Sequence, residues 1–177
     1  MRVAFVLPPD YEAPAGGYAV AYEYANRLAA KGHDVSVVHL EPHRYRPPAR
    51  NFVRWLKRLA RTRRNPAGWY AFDRSVRVRS VSRLGSDVLA ADRVVATAWR
   101  TAYAVAALGL GADRAFYLIQ HYEVWNGPAD QVDASWRLPL TRLVISQWLE
   151  EKAAELGALP VIRMPNGIDG STYRPTT

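Results

Sequence analysis

Short, wholly apolar runs alternate along this chain with stretches whose apolar residues recur at helical spacing, and the two patterns take turns from one end to the other. Val3 to Leu7 is a continuous run bounded by Pro8-Pro9, the form a strand takes when both of its faces are covered. Tyr18 to Lys31 places Val20, Tyr24 and Leu28 on one stripe and ends at Gly32, so it predicts a helix with glycine at its carboxyl end. Asp34 to Leu40 predicts a second strand, Val76 to Val81 a more exposed one, Arg93 to Thr97 a central one, and Ala115 to Gln120 and Leu143 to Ile145 two more. Helices are expected from Thr101 to Leu110, from Pro128 as a first-turn proline, and from Gln147 to Leu156 with Ser146 as its cap and Gly157 as its stop. Pro160 to Arg163 reads as a last short strand, followed by an Asn166-Gly167 turn. Strand and helix in alternation predict an α/β fold, a Rossmann-like parallel sheet with helices on both faces.

Composition narrows the picture. At 177 residues with 49% hydrophobic content the chain suffices for one core and one domain. It contains no cysteine and only four scattered histidines, so no thiolate metal site is possible and no metal ligand set is expected, and a reducing, cytoplasmic setting fits. The first apolar run is too short for a secretory signal core, and no run approaches the roughly 20 residues that span a bilayer. The net charge of +8 is concentrated in residues 42–71, which carry Arg54, Lys57, Arg58 and Arg61 among other cations and no acidic residue. Such a segment suits an anionic partner, either a phospholipid surface or nucleic acid. From Asn51 to Arg64, Phe52, Trp55, Leu56 and Leu59 share one helical face while the cations lie largely on others. That arrangement favours an interfacial helix, peripheral on the inner face of a membrane, over a nucleic-acid-binding or regulatory α/β module, and no nucleic acid is expected as partner.

In an open parallel sheet the ligand lies beyond the carboxyl ends of the strands, so the loops there are where chemistry is sought. The first ends in Gly16-Gly17 directly before a helix, which reads either as a close approach of backbone N–H groups to a phosphate or as a flexible turn. It lacks the G-x-G-x-x-G spacing of dinucleotide sites. The second offers Trp99 for stacking on a sugar and Arg100 for an anion, against packing of the indole. The third, Gln120-His121-Tyr122-Glu123-Val124-Trp125-Asn126, gathers amide, imidazole, carboxylate and aromatic groups suited to sugar hydroxyls, with His121 able to exchange protons near neutral pH or to stand as an ordinary surface histidine. The fourth is Pro165-Asn166-Gly167-Ile168-Asp169, a turn or part of the site.

Taken together, the Gly16-Gly17 loop and the helix after it, Val144-Ile145-Ser146-Gln147-Trp148-Leu149, and Met164-Pro165-Asn166-Gly167-Ile168-Asp169 with Tyr173-Arg174-Pro175 resemble the group 1 family of retaining GT-B glycosyltransferases, over nearly the whole chain. Tyr117 to Glu123 and Ala96 to Ala102 are similar to a branch that includes bacterial rhamnosyltransferases of surface polysaccharides. The resemblance implies that residues 1–177 form the acceptor-side N-terminal domain. A separate C-terminal domain would hold the nucleotide-sugar donor, which is a substrate and not a cofactor, and its absence would leave these residues inactive alone. The acceptor would be a saccharide or a lipid-linked saccharide. Gly16, Gly17, Trp99, Arg100, Gln120, Glu123 and Asn166 would bind substrate, and His121 would be the catalytic candidate. Many members have a His-Asp or similar pair where this chain has Gln120-His121, so which of the two takes the histidine's place stays open.

Overall fold

The computed structural model describes residues 1–9, 13–41 and 67–168. Within them lie β1 (Arg2–Leu7), α1 (Gly16–Ala30), β2 (Asp34–Leu40), β3 (Arg77–Val81), α2 (Ser86–Leu89), β4 (Arg93–Ala96), α3 (Trp99–Ala106), β5 (Ala115–Ile119), α4 (Ala129–Trp136), β6 (Thr141–Val144), α5 (Gln147–Glu155) and β7 (Ile162–Arg163). A 3-10 turn at Val124–Asn126 precedes α4. The strands form one seven-stranded sheet in the order β3-β2-β1-β4-β5-β6-β7, and every pairing is parallel. This is a Rossmann-like α/β fold.

Alternate residues of the central strands feed two separate cores, which is why those strands read as unbroken apolar runs. Val3, Phe5 and Leu7 of β1 join Val35 and Val37 of β2 beneath Ala21, Tyr22, Ala25 and Ala29 of α1. Ala4 and Val6 turn the other way, into a core with Val94, Ala96, Tyr117 and Ile119 that is covered by Ala102 and Val105 of α3, Trp136 of α4, and Leu149 and Ala153 of α5. Helices therefore cover both faces. Among the described residues no helix is long and apolar enough to cross a membrane.

Chain order reverses between β1 and β4: the chain leaves β1 toward β2 on one side and returns to β4 on the other. The loops after those two strands separate there and leave a crevice outside the sheet's carboxyl edge. Register keeps that edge even, since Leu7 pairs with His39, Val6 with Ala96 and Ile119 with Val144.

Helix ends follow local chemistry in two places. Ser146 accepts a hydrogen bond from the Leu149 N–H as the cap of α5, and the chain leaves that helix through Gly157 at φ +63. Gly32, at φ +83, does the same after α1. Several bounds differ from the sequence pattern, three helix starts and the strand β6 (Thr141–Val144 against the expected Leu143 to Ile145) among them. Helix α1 begins at Gly16, two residues before the expected Tyr18, and α3 begins at Trp99 instead of Thr101. Pro128 is the residue before α4, extended at φ −60 and ψ 129, not its first turn.

Candidate functional site

The crevice at the strand-order reversal is a cavity of about 450 Å3. Leu7 and Pro8 line it from the end of β1, Gly16, Gly17, Tyr18 and Val20 from α1, Thr97 and Ala98 from the end of β4, Gln120, His121, Glu123 and Trp125 from the loop after β5, Ile145 from the end of β6, and Asn166 from beyond β7. Of the site residues expected from sequence, Gly16, Gly17, Gln120, His121, Glu123 and Asn166 meet here.

The first turn of α1 lines the cavity. Among the described residues no side chain caps it at Ala15, and the turn itself holds no acidic residue. A Cβ built on Gly16 meets no described atom within 4 Å, whereas one on Gly17 lies 3.5 Å from Gln120 Nε2. Gln120 Nε2 also donates to the Gly17 carbonyl at 2.9 Å, tying this turn to the end of β5. The loop that leads into α1 is anchored at its start. The Pro8 carbonyl lies 3.0 Å from His39 Nδ1, and since a carbonyl only accepts, that nitrogen donates. In the neutral ring Nε2 is then an acceptor, and the Tyr22 hydroxyl 3.1 Å away donates to it. Tyr18 stacks on the same imidazole at 6.0 Å and donates from its hydroxyl to Pro9. His39 is completely buried in this role, although its sequence context suggested only a strand residue.

The N-terminus of α3 is satisfied from within the chain. Thr101 Oγ1 accepts from the N–H groups of Thr97 and Ala98, and Glu123 Oε2 accepts from Trp99 N at 2.8 Å. Glu123 thus meets the cavity while acting as a long-range cap for α3. Burial pushes its carboxyl above the usual glutamate range, against the opposing pull of the Trp99 N–H, His121 and Arg100. A carboxyl raised by folding stabilises the fold most when protonated, and that contribution is lost as pH rises through its folded-state pKa. Glutamine keeps an acceptor for Trp99 N without the buried charge. Glu123→Gln is therefore expected to be at least as stable as the parent at pH 7, with the difference shrinking as pH falls below the normal glutamate range. Urea unfolding at both pH values checks this, and a loss of stability in Glu123→Gln at pH 7 would mean that attraction of the carboxylate to the helix end outweighs its desolvation.

Two of the expected residues do not reach the cavity. The Trp99 indole is 5% exposed and lies against Gly127 and Tyr103. Arg100 points to solvent from α3, with its guanidinium 4.6 Å from the centre of the Trp99 ring. In their place the second loop contributes Thr97 and Ala98, whose position directly after β4 was the available signal. Ile145, directly after β6, and Trp125 were legible by the same rule. His121 is exposed, with Nδ1 3.3 Å from the Tyr122 carbonyl. Its ring meets Trp125 at 4.3 Å and Trp148 at 5.8 Å, both edge-on. Arg54, Lys57, Arg58 and Arg61, with the apolar face of Phe52, Trp55, Leu56 and Leu59, lie outside the described residues, as does Asp169. No family model matches this chain, and no curated protein matches it.

Proposed function

We propose that this chain is the acceptor-side domain of a retaining GT-B glycosyltransferase, which moves a sugar from a nucleotide-sugar to a saccharide or lipid-linked acceptor in the synthesis of a surface polysaccharide or glycolipid. One observation carries the reading. The Gly16-Gly17 end of α1, which no side chain caps among the described residues, faces, across a single cavity, the hydrogen-bonding groups of Gln120, His121, Glu123 and Asn166. Negative charge grows on the leaving diphosphate while the transferred sugar becomes positive and oxocarbenium-like, so N–H groups at a helix end suit the first and a polar wall suits the sugar hydroxyls. Gly16 can come close to such an anion because no described atom occupies the space a side chain would take. Glu123 reaches the sugar side with one oxygen already committed to Trp99 N. His121 is the candidate for proton exchange, with Nδ1 turned to the Tyr122 carbonyl. A second Rossmann-like domain would hold the donor. The cations of residues 42–71 would keep the protein against an anionic membrane where a lipid-linked acceptor resides, each adding on the order of 1 kcal/mol.

The test is an assay of the complete protein encoded by the reading frame, with nucleotide-sugars, saccharide and polyprenyl-linked acceptors, and anionic vesicles. Transfer with the anomeric configuration kept is expected, with the protein pelleting on anionic but not neutral vesicles in a salt-sensitive manner. Neither transfer nor release of nucleotide from any donor would end the transferase reading, and failure to pellet at low salt would end the membrane part alone.

A further inference from the structure

Trp125 and Trp148 are 65% and 49% exposed, although exposed indole area is costly in water. They come from different elements. Trp125 sits in the 3-10 turn after β5, and Trp148 in the first turn of α5. His121 lies between them, its ring plane inclined at 82° to Trp125 and 66° to Trp148, with centroids 4.3 Å and 5.8 Å away. Edge-on contacts of this kind hold the rings in place without stacking the two indoles on each other. Trp125 also lines the cavity, so the row runs from the cavity wall out to the surface of α5.

We propose that Trp125 and Trp148, each braced edge-on by His121, form an aromatic ledge whose indole faces stack against pyranose rings of a saccharide acceptor. The proposal rests on the transferase reading and makes it narrower, since it places recognition on the sugar itself instead of on a lipid carrier. A pyranose presents axial C–H groups on its faces and hydroxyls around its rim. The electron-rich face of an indole attracts the first, and amide and carboxylate groups are needed for the second. Both lie together here, because Gln120, Glu123 and Asn166 share the cavity with Trp125.

Indole N–H signals of the isotopically labelled chain, titrated with methyl glucopyranoside, methyl mannopyranoside and methyl rhamnopyranoside, test the ledge. Saturable shifts are expected at Trp125 and Trp148 but not at the buried Trp99 and Trp136, which serve as internal references. Trp125→Ala should weaken pyranoside binding about tenfold, a loss of roughly 1.4 kcal/mol, while Trp125→Phe keeps most of it. Both rings are exposed, so these variants should fold, and Trp148→Ala gives a second reading if one does not. In the complete protein the same Trp125→Ala change should raise the acceptor KM and leave the donor KM alone. Absence of indole shifts with every pyranoside, or transfer with an unchanged acceptor KM in Trp125→Ala, would overturn the ledge and leave the transferase reading standing. Saturable pyranoside shifts in a protein that consumes no nucleotide-sugar would uphold the ledge and remove the transferase.

Discussion

Gly127→Ala is expected to destabilise the domain by about 1–3 kcal/mol, the usual cost of forcing extra volume into a packed site. The backbone at Gly127 is extended, with φ 173 and ψ 177, so alanine meets no conformational penalty there. The penalty is steric. A Cβ would overlap Trp99 Cζ2 and stand 3.0 Å from Cε2 and 3.1 Å from Cη2. Trp99 cannot give way easily. Its ring is buried, its backbone N–H is held by Glu123, and Thr101 closes the turn just before it. The 3-10 turn must then move instead, and it carries Trp125, which follows Glu123 by two residues. Urea unfolding should show the loss. Trp99→Leu made together with Gly127→Ala should cost less than the two changes summed, since the smaller side chain leaves room for the methyl. A loss below about 0.5 kcal/mol for Gly127→Ala would show that the glycine is not required by the indole.

The same contact explains why Trp99 could not be placed from its neighbours in sequence. As a residue directly after a strand it belonged to the carboxyl edge of the sheet, and that local rule does bring Gln120, His121 and Asn166 to the cavity. Where its ring turned depended on a glycine 28 positions later, and nothing local encodes that. The start of α3 was obscured for a related reason. Its caps are Thr101, reaching back, and Glu123, reaching across from another loop, so Ala98 itself carries no cap signal. Strand β2 was legible to the residue, because apolar periodicity and a flanking glycine are local. The first half of β6 was not. Arg142 interrupts the apolar run, yet it belongs there because its guanidinium donates to the carbonyls of Trp136 and Leu138, which only the folded chain brings near.

On the transferase reading, Gly16→Val in the complete protein is expected to lower turnover by about tenfold to a hundredfold, equivalent to roughly 1.4–2.8 kcal/mol of transition-state stabilisation, with little change in unfolding free energy. The two halves of that expectation come from the same observation. A Cβ at Gly16 meets no described atom within 4 Å, so the fold accommodates it, and the space it enters is the open approach to the first turn of α1. Exchange of glycine for valine at a helical position does not by itself disfavour the helix, so stability should hold or rise slightly. Gly17 would make a less clear probe. Its carbonyl accepts from Gln120 and its Cβ position lies 3.5 Å from the same amide, so Gly17→Val would displace Gln120 as well as obstruct a ligand. Gly17→Ala, a smaller change in ordinary contact with that amide, should fall between the parent and Gly16→Val in rate. Steady-state kinetics beside urea unfolding read the two effects separately. Kinetics unchanged from the parent in Gly16→Val would return the glycine pair to the status of a turn and remove the helix end from the proposed chemistry, whereas a rate that fell only in step with stability would mean that the side chain disturbs the fold and not an anion.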